Sequence, residues 1–402
     1  MSDSLRRYLD YAATTPLDER VLEAMMPFLG GPSGMFGNAS ALYSEGKAAH
    51  AAVEDARRIV AGLIGVRDPY EIVFTSGGTE SDNMAVRGMA LAARSRVGKA
   101  KGPGHVVASS FEHKAVLDAV RSLKADGFEV TFVDPDPSGF VAPASLEAAM
   151  RPDTLVVSVM MANNEVGTVQ PVRELAEVSH ARGALFHTDA VAAVGKVPVD
   201  VAELGVDALS FTAHKICGPK GTGALYLSKR APFSPILHGG GQERGKRPGT
   251  YNAAGIVGLA RAVELACGTD AVAEARRLCA MRDAFIQRVA DGAGSGFPAH
   301  RGGGAIARLA TGIPDGDVSR HLPGLVPLLF ADRYSEDLVM DLDLLGFAVS
   351  GGSACTASQA KPSHVLKSMG YDDEEASRFL RVSFGRFTEQ ADLDDLADAL
   401  AR

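Results

Sequence analysis

Lys215 follows the short apolar run Asp207-Ala-Leu-Ser-Phe-Thr-Ala213 and His214, and it immediately precedes the glycine-rich stretch Gly218-Pro-Lys-Gly-Thr-Gly223. An amine there falls at a strand end, in a cleft and not on a solvated face. Asp189 ends a second apolar run, Ala184-Leu-Phe-His-Thr188, and Ser76-Gly-Gly-Thr79 ends a third, Glu71-Ile-Val-Phe-Thr75. An amine, a carboxylate and a glycine-rich anion cradle, all at strand ends, point to pyridoxal phosphate chemistry. Burial would lower the proton affinity of Lys215, so that the amine is neutral part of the time and able to attack a carbonyl. Asp189 would keep a pyridine nitrogen protonated. The turn at Gly77, Gly78 and Thr79 leads into a helix whose free N–H groups suit a phosphate, although a strand-to-helix turn calls for glycine in any case.

Other groups fall into the same pattern. His113 follows Phe111-Glu112, where an imidazole could stack on a pyridine face; a surface histidine is the plain alternative. Arg381, in Leu380-Arg-Val-Ser-Phe-Gly-Arg-Phe387, could bind a carboxylate with its fork or serve a structural ion pair. Cys355 lies in Ser350-Gly-Gly-Ser-Ala-Cys-Thr-Ala-Ser358, with no bulky neighbour to bury the sulfur, so an exposed, mobile and reactive thiol is expected. Cys217, Cys267 and Cys279 read as packed residues.

These groups need a scaffold. Seven β-rich runs between Glu71 and Leu227 alternate with helical patterns, which predicts an α/β fold with a mostly parallel sheet between helices. In such sheets ligands gather beyond the carboxyl ends of the strands, where Glu112, His113, Asn163, Asn164, Glu165, Asp189, His214 and Lys215 all fall. Helices are expected over Ala48 to Ile64, over one long stretch from Leu259 to Val289, and at the end of the chain with Leu393, Leu396 and Leu400 on one face. The change of pattern after Gly258 places a boundary between a large domain over 18–258 and a smaller α+β domain over 259–402, with residues 1–17 joining the smaller one.

The 402 residues are 46% hydrophobic, enough for a sizeable core. With 41 basic and 49 acidic side chains the net charge is −8, so sequence-independent nucleic-acid binding is not expected. No apolar segment of signal-peptide or membrane-spanning length is evident, and the four cysteines lack CxxC spacing. A cytoplasmic protein acting on a small molecule fits best.

The chain resembles the cysteine desulfurases, pyridoxal-phosphate enzymes of the class V aminotransferase group, in the branch that supplies sulfur for iron–sulfur clusters. The resemblance is carried by Tyr8-Leu-Asp-Tyr-Ala-Ala-Thr-Thr-Pro16, Phe74-Thr-Ser-Gly-Gly-Thr-Glu-Ser-Asp-Asn83, Glu112-His-Lys-Ala-Val-Leu-Asp118, Asn163-Asn-Glu-Val-Gly167, His214-Lys215, His238-Gly-Gly-Gly-Gln-Glu-Arg244 and Ser353-Ala-Cys355. It implies a fold-type I enzyme with pyridoxal 5'-phosphate attached to Lys215, its ring nitrogen on Asp189 and its face under His113. Asn164 would lie near the phenolic oxygen and the substrate, and Arg381 would bind the substrate carboxylate. Gly78, Thr79, Thr212 and His214 would hold the phosphate, with Thr250 of Arg247-Pro-Gly-Thr250 reaching in from the second subunit of a homodimer. L-cysteine would become alanine, Cys355 would take the sulfur as a persulfide, and an acceptor or scaffold protein would receive it. No resident metal is implied; Cys355 would at most be a transient ligand to an iron–sulfur unit.

Three departures stand out. The family pattern Asp-Ala-x-Gln is here Asp189-Ala-Val-Ala192, which removes one hydrogen bond to the phenolic oxygen. Ser-Gly-His-Lys is here Thr212-Ala-His-Lys215. The chain stops soon after Leu400, without the longer tail that many relatives use to dock a scaffold. A selenocysteine lyase, another class V aminotransferase and a weakly active cofactor-binding partner subunit are the alternatives.

Overall fold

The structure, a computed structural model, describes residues 6–30, 34–97, 102–292, 307–313, 317–352 and 362–401. Cys355 and most of the glycine-rich passage 291–304 lie outside these residues. Strand β1 (Arg7–Tyr8) pairs in parallel with β11 (Phe347–Ala348), which brings the start of the chain against its C-terminal third. Strands β2 (Ile72–Thr75), β3 (His105–Ser109), β4 (Glu129–Val133), β5 (Thr154–Ser158), β6 (Leu185–Asp189), β7 (Ala208–Thr212) and β8 (Gly223–Leu227) form one seven-stranded sheet in the order β2-β8-β7-β6-β5-β3-β4. Only β8 runs antiparallel to its neighbours. All seven runs read from the sequence are present, each within a residue or two of its expected bounds.

Alternation along the strands makes this a three-layer structure. Ile72 and Phe74 face one apolar cluster with Phe186, Leu209 and Phe211, under the helices Ser44–Leu63, Val172–Ala181 and Ala253–Cys267. Val73 faces another cluster with Val106, Val156 and Leu225, under the helical stretch 78–97 and Lys114–Ser122. Central strands covered on both sides are mostly apolar, and β3, β7 and β8 are buried at every position. A second, antiparallel sheet in the order β12-β10-β9 is built from β9 (Ala307–Leu309), β10 (Leu325–Phe330) and β12 (Phe379–Ser383). It packs with Leu9, Phe285 and the helix Gln390–Leu400 in a separate apolar cluster.

One element departs from expectation. The stretch from Leu259 to Val289 is two helices, Ala253–Cys267 and Ala271–Gly292. Gly268 has an extended backbone (ψ −163°) at the break, and Gly268-Thr-Asp270 combines three weak helix formers. Periodicity on either side hid the stop. Among the described residues, no helix is long and apolar enough to cross a membrane.

Candidate active site

The carboxyl ends of β2, β3, β5, β6 and β7 lie on one edge of the large sheet, and the chain turns outward in opposite directions from β3 and β5, which is where ligands gather in such folds. A cavity of about 230 Å³ opens there. It is lined by Gly78, Thr79, His113, Asn164, Asp189, Thr212, His214, Lys215 and Arg381, together with Ala12, Ala13, Asp82, Met160, Val191, Ala192, Lys196 and Leu322. Of the residues given a catalytic, cofactor or substrate role from the sequence, Thr250, which is exposed, and Cys355, which is not among the described residues, are missing from the lining; of the other strand-end residues, Gly77, Glu112, Asn163 and Glu165 do not line it either.

Lys215 closes a single 3-10 turn, Ala213–Lys215, after β7. Its Nζ donates to the carbonyl oxygens of Ala12 and Ala13, the latter at 2.7 Å, so the N-terminal segment fixes the amine. Burial, then the positive charges of Lys196 and Arg381, bring its proton affinity down from 10.5 to about 7. Asp189 ends β6 and is buried; one carboxylate oxygen accepts from the Val191 N–H at 2.8 Å. Burial pushes it up to about 6 against the pull of that N–H and of Lys215.

His113 caps the helix Lys114–Ser122, its Nδ1 accepting from the Ala115 N–H at 3.1 Å. The neutral ring therefore carries its proton on Nε2, and burial and Lys215 take its affinity down to about 4. His214, with Nδ1 3.1 Å from the Thr14 hydroxyl, is likewise lowered to about 4, first by burial and then by Lys215. Arg381 on β12 makes the structural ion pair and also lines the cavity. Its guanidinium donates to Asp10 at 2.7 Å and to the Asn164 carbonyl at 3.0 Å. Its Nε is closed off from solvent and has no protein partner.

The anion cradle is local geometry. Gly77 has φ +154° as the residue before the helix Gly78–Asn83, and a Cβ on Gly78 would sit 2.7 Å from Val191 Cγ2, so only glycine fits. The first-turn N–H groups lack intrahelical partners, and Thr79 adds a hydroxyl at the rim. The Thr212 hydroxyl donates to the Thr222 carbonyl at 3.0 Å. The first-turn N–H groups and the Thr79 hydroxyl fit a phosphate, with Thr212 beside them spending its proton on Thr222; Lys215 and Asp189 fit an aldehyde and a pyridine nitrogen on the same small molecule.

Three groups escaped the sequence reading. Lys196 is buried in the cavity wall, its proton affinity lowered to about 8 by burial; it lies in Val194-Gly-Lys-Val197, which reads as an ordinary turn. Asp82 lies one helical turn beyond Gly78 and so shares its face. It is 1% exposed, one of its oxygens has no hydrogen-bond partner, and burial and then Asp189 push its affinity well up. Glu112 was noticed as a polar strand-end residue but not as a buried acid. One oxygen accepts from the Ser109 hydroxyl and the Met160 N–H, both at 2.6 Å, and burial raises it to about 8. Beside them His187, between the hydroxyls of Ser158 and Ser210 at 2.9 Å each, is kept neutral by burial.

A buried amine of lowered proton affinity that shares a cavity with a buried carboxylate and a helix N-terminus is the equipment of an α/β enzyme working through a covalently held aldehyde. The family model described as Aminotransferase class-V matches residues 7–291. A cysteine desulfurase IscS from Dictyoglomus turgidum is 43% identical, covering 98% of this chain and 93% of its own. A solved NifS-like protein superposes with a TM-score of 0.85 at 34% identity over 99% of this chain and 98% of its own. Another solved structure, SspA in complex with cysteine, gives a TM-score of 0.76 at 34% identity over 95% and 100%. The chain belongs to the class V aminotransferase family, in its cysteine desulfurase branch. That family depends on pyridoxal phosphate.

Proposed function

We propose that this chain is a cysteine desulfurase that uses pyridoxal 5'-phosphate to convert L-cysteine to L-alanine and passes the sulfur, as a persulfide on Cys355, to an acceptor protein for iron–sulfur cluster assembly or another sulfur-containing product. The observation that carries the reading is the pairing of Lys215 and Asp189 across one cavity beside the Gly78 turn. When bound, the cofactor supplies an electron sink for charge developing at the substrate's Cα. Lys215 holds the cofactor and then, released by substrate, carries the Cα proton; an affinity near 7 lets it take and return that proton at neutral pH. Asp189 keeps the ring nitrogen protonated, His113 covers the ring face, and Asn164 lies near its phenolic oxygen. Gly78, Thr79, Thr212 and His214 bind the phosphate, and Thr250 of a second subunit completes that site in a homodimer. Arg381, in the cavity lining, takes the substrate carboxylate. The Cys355 thiolate attacks the substrate sulfur; an S–S bond forms as the Cβ–S bond breaks and leaves its electron pair on the carbon side, Cβ takes up a proton in place of sulfur, and Cα regains the proton that Lys215 removed.

A large domain over 18–258 and a smaller one over 259–402 are supported by the cluster of Phe285, Val326, Val382 and Leu393, to which Leu9 and β1 tie residues 1–17, while Leu325, Leu329 and Phe379 pack into the large cluster and join the two. The composition supports a cytoplasmic location. Incubating the purified protein with pyridoxal phosphate and L-cysteine tests the function: alanine and sulfide are expected in equal amounts under reductant, and Cys355→Ser abolishes turnover. Bound cofactor without alanine formation refutes the proposal. Full turnover in Cys355→Ser would instead favour a transaminase of the same family.

A further inference from the structure

Residues 242–250 fold back on the strand and turn that lead into the phosphate site. Glu243 and Arg244 both adopt left-handed backbone conformations, φ +48° and +57°, which side chains other than glycine avoid. Two anchors hold them there. Inward, Glu243 is 1% exposed and meets the fully buried Arg57 in a two-pronged pair, both contacts at 2.7 Å, while the same carboxylate accepts the Phe74 N–H at 3.2 Å. Outward, the Arg244 guanidinium lies over the Tyr70 ring at 4.6 Å. The Glu243 N–H donates to the Tyr251 hydroxyl at 3.0 Å, and the Gly249 N–H to the Gln242 side chain at 3.0 Å, which closes the loop on itself.

A few residues on, Arg247 makes a two-pronged pair with Glu80 at 2.8 and 3.2 Å. Glu80 lies in the first turn of the helix Gly78–Asn83, and its carboxylate also accepts the Ser76 N–H at 2.6 Å. Burial alone would raise the affinity of Glu80 for a proton; Arg247 and the Ser76 N–H outweigh it and hold the group ionised. So residues 74 and 80, which flank the Gly77-Gly78 turn on both sides, are held by side chains of one loop, and Ser76 is held in turn by Glu80. Neither Glu243 nor Arg247 lines the cavity itself.

We propose that Glu243 and Arg247 are positioning residues that hold the Ser76–Glu80 turn in the shape needed to bind a phosphate monoester, so that the loop carrying Thr250 toward a second subunit also sets the cofactor's phosphate grip within its own chain. The inference rests on the phosphate role of that turn under Proposed function. Charge-assisted, two-pronged pairs suit this task because they fix orientation as well as distance. The Arg57–Glu243 pair is dry, and removing one partner would strand the other, so Arg247 and Glu80 are the informative positions.

The experiment compares equilibrium binding of pyridoxal 5'-phosphate and of phosphate-free pyridoxal to the cofactor-stripped protein, by dialysis, for wild type, Arg247→Gln, Glu80→Gln and the double variant. Each single variant should lose about tenfold in affinity for the phosphorylated aldehyde, the worth of one charge-assisted contact. Pyridoxal binding should not move, and the double variant should be no worse than the singles. A parallel fall for both aldehydes would mean general loosening and would overturn the inference. So would a wild-type preference for the phosphate that Arg247→Gln keeps in full. A wild type that binds both aldehydes equally would overturn the phosphate reading of the turn and the inference with it.

Discussion

Replacing Lys196 with methionine removes a buried positive charge from the cavity wall while keeping an unbranched side chain of similar reach. Its effect should be read at Lys215. The Lys215 amine has fallen from 10.5 to about 7, with burial as the largest cause, Lys196 next and Arg381 after it. Lys196 itself loses its proton only at about 8, so over the range in which Lys215 titrates its neighbour is still charged and repels a second ammonium. Loss of that like charge should return about 1 pH unit to Lys215, the lower end of what one neighbouring charge does at close range. At pH 7 the neutral fraction of Lys215 would then fall from about one half to about one tenth, a roughly fivefold loss. Loading of the cofactor, which needs the free amine, should slow by the same factor at pH 7 and hardly at all at pH 9. Competitive acetylation with limiting acetic anhydride, read peptide by peptide on the cofactor-free protein, reports the Lys215 midpoint directly. It should move from near 7 to near 8. A midpoint that stays put or moves down would refute the argument that Lys196 tunes the amine.

Two further outcomes concern Glu112, buried behind the lining residue Met160, and Ala192 in the lining itself. Glu112, raised from 4.5 to about 8, binds a proton in the folded state that the unfolded chain releases. Its contribution to stability is therefore fully present below pH 4.5 and is lost as pH rises through 8; by pH 7 the loss reaches about 3 kcal/mol. Glu112→Gln cannot titrate, so denaturant unfolding at pH 5 and pH 7 should show a clearly smaller decline in the variant, and equal declines would contradict the assignment. Ala192 lines the cavity without a donor. An amide placed there by Ala192→Gln should stabilise the cofactor's phenolic oxygen as an anion, lowering the pH midpoint of the loaded enzyme's visible absorbance by up to about 1 unit. Identical titrations in the two proteins would show that the missing hydrogen bond is supplied from elsewhere.

The parts of this molecule that could be read from the chain are those in which local pattern and global position agree. Strands covered on both faces have to be apolar, so β3, β5 and β7 stood out as runs. Polar residues directly after such runs have few places to go except the ligand edge of the sheet, which is why Asp189, His113 and Lys215 were found without any knowledge of contacts. Arg381 was harder. It lies inside β12, and its ion pair with Asp10 depends on β1 pairing with β11 so that the start of the chain reaches the site. The Ala12 and Ala13 carbonyls that hold Lys215 arrive by the same route; backbone oxygens leave no mark on side-chain identity.

Lys196, Asp82 and Glu112 share a different reason for being hidden. Each is a charged residue type whose ordinary place is the surface, in a turn or near a helix start where such residues are expected. What distinguishes them is the dry volume around them, set by the packing of several elements. Asp82 and Asp189 come together because the helix after Gly78 packs on β7, the neighbour of β6, and on β8, and the charge of Asp189 adds to burial in raising Asp82. A pair of acids in that setting resists losing both protons. The floor of the cavity thus carries shared protons while its wall carries a lysine ready to lose one, and this polarity across a few residues is what the proposed proton traffic at Cα requires.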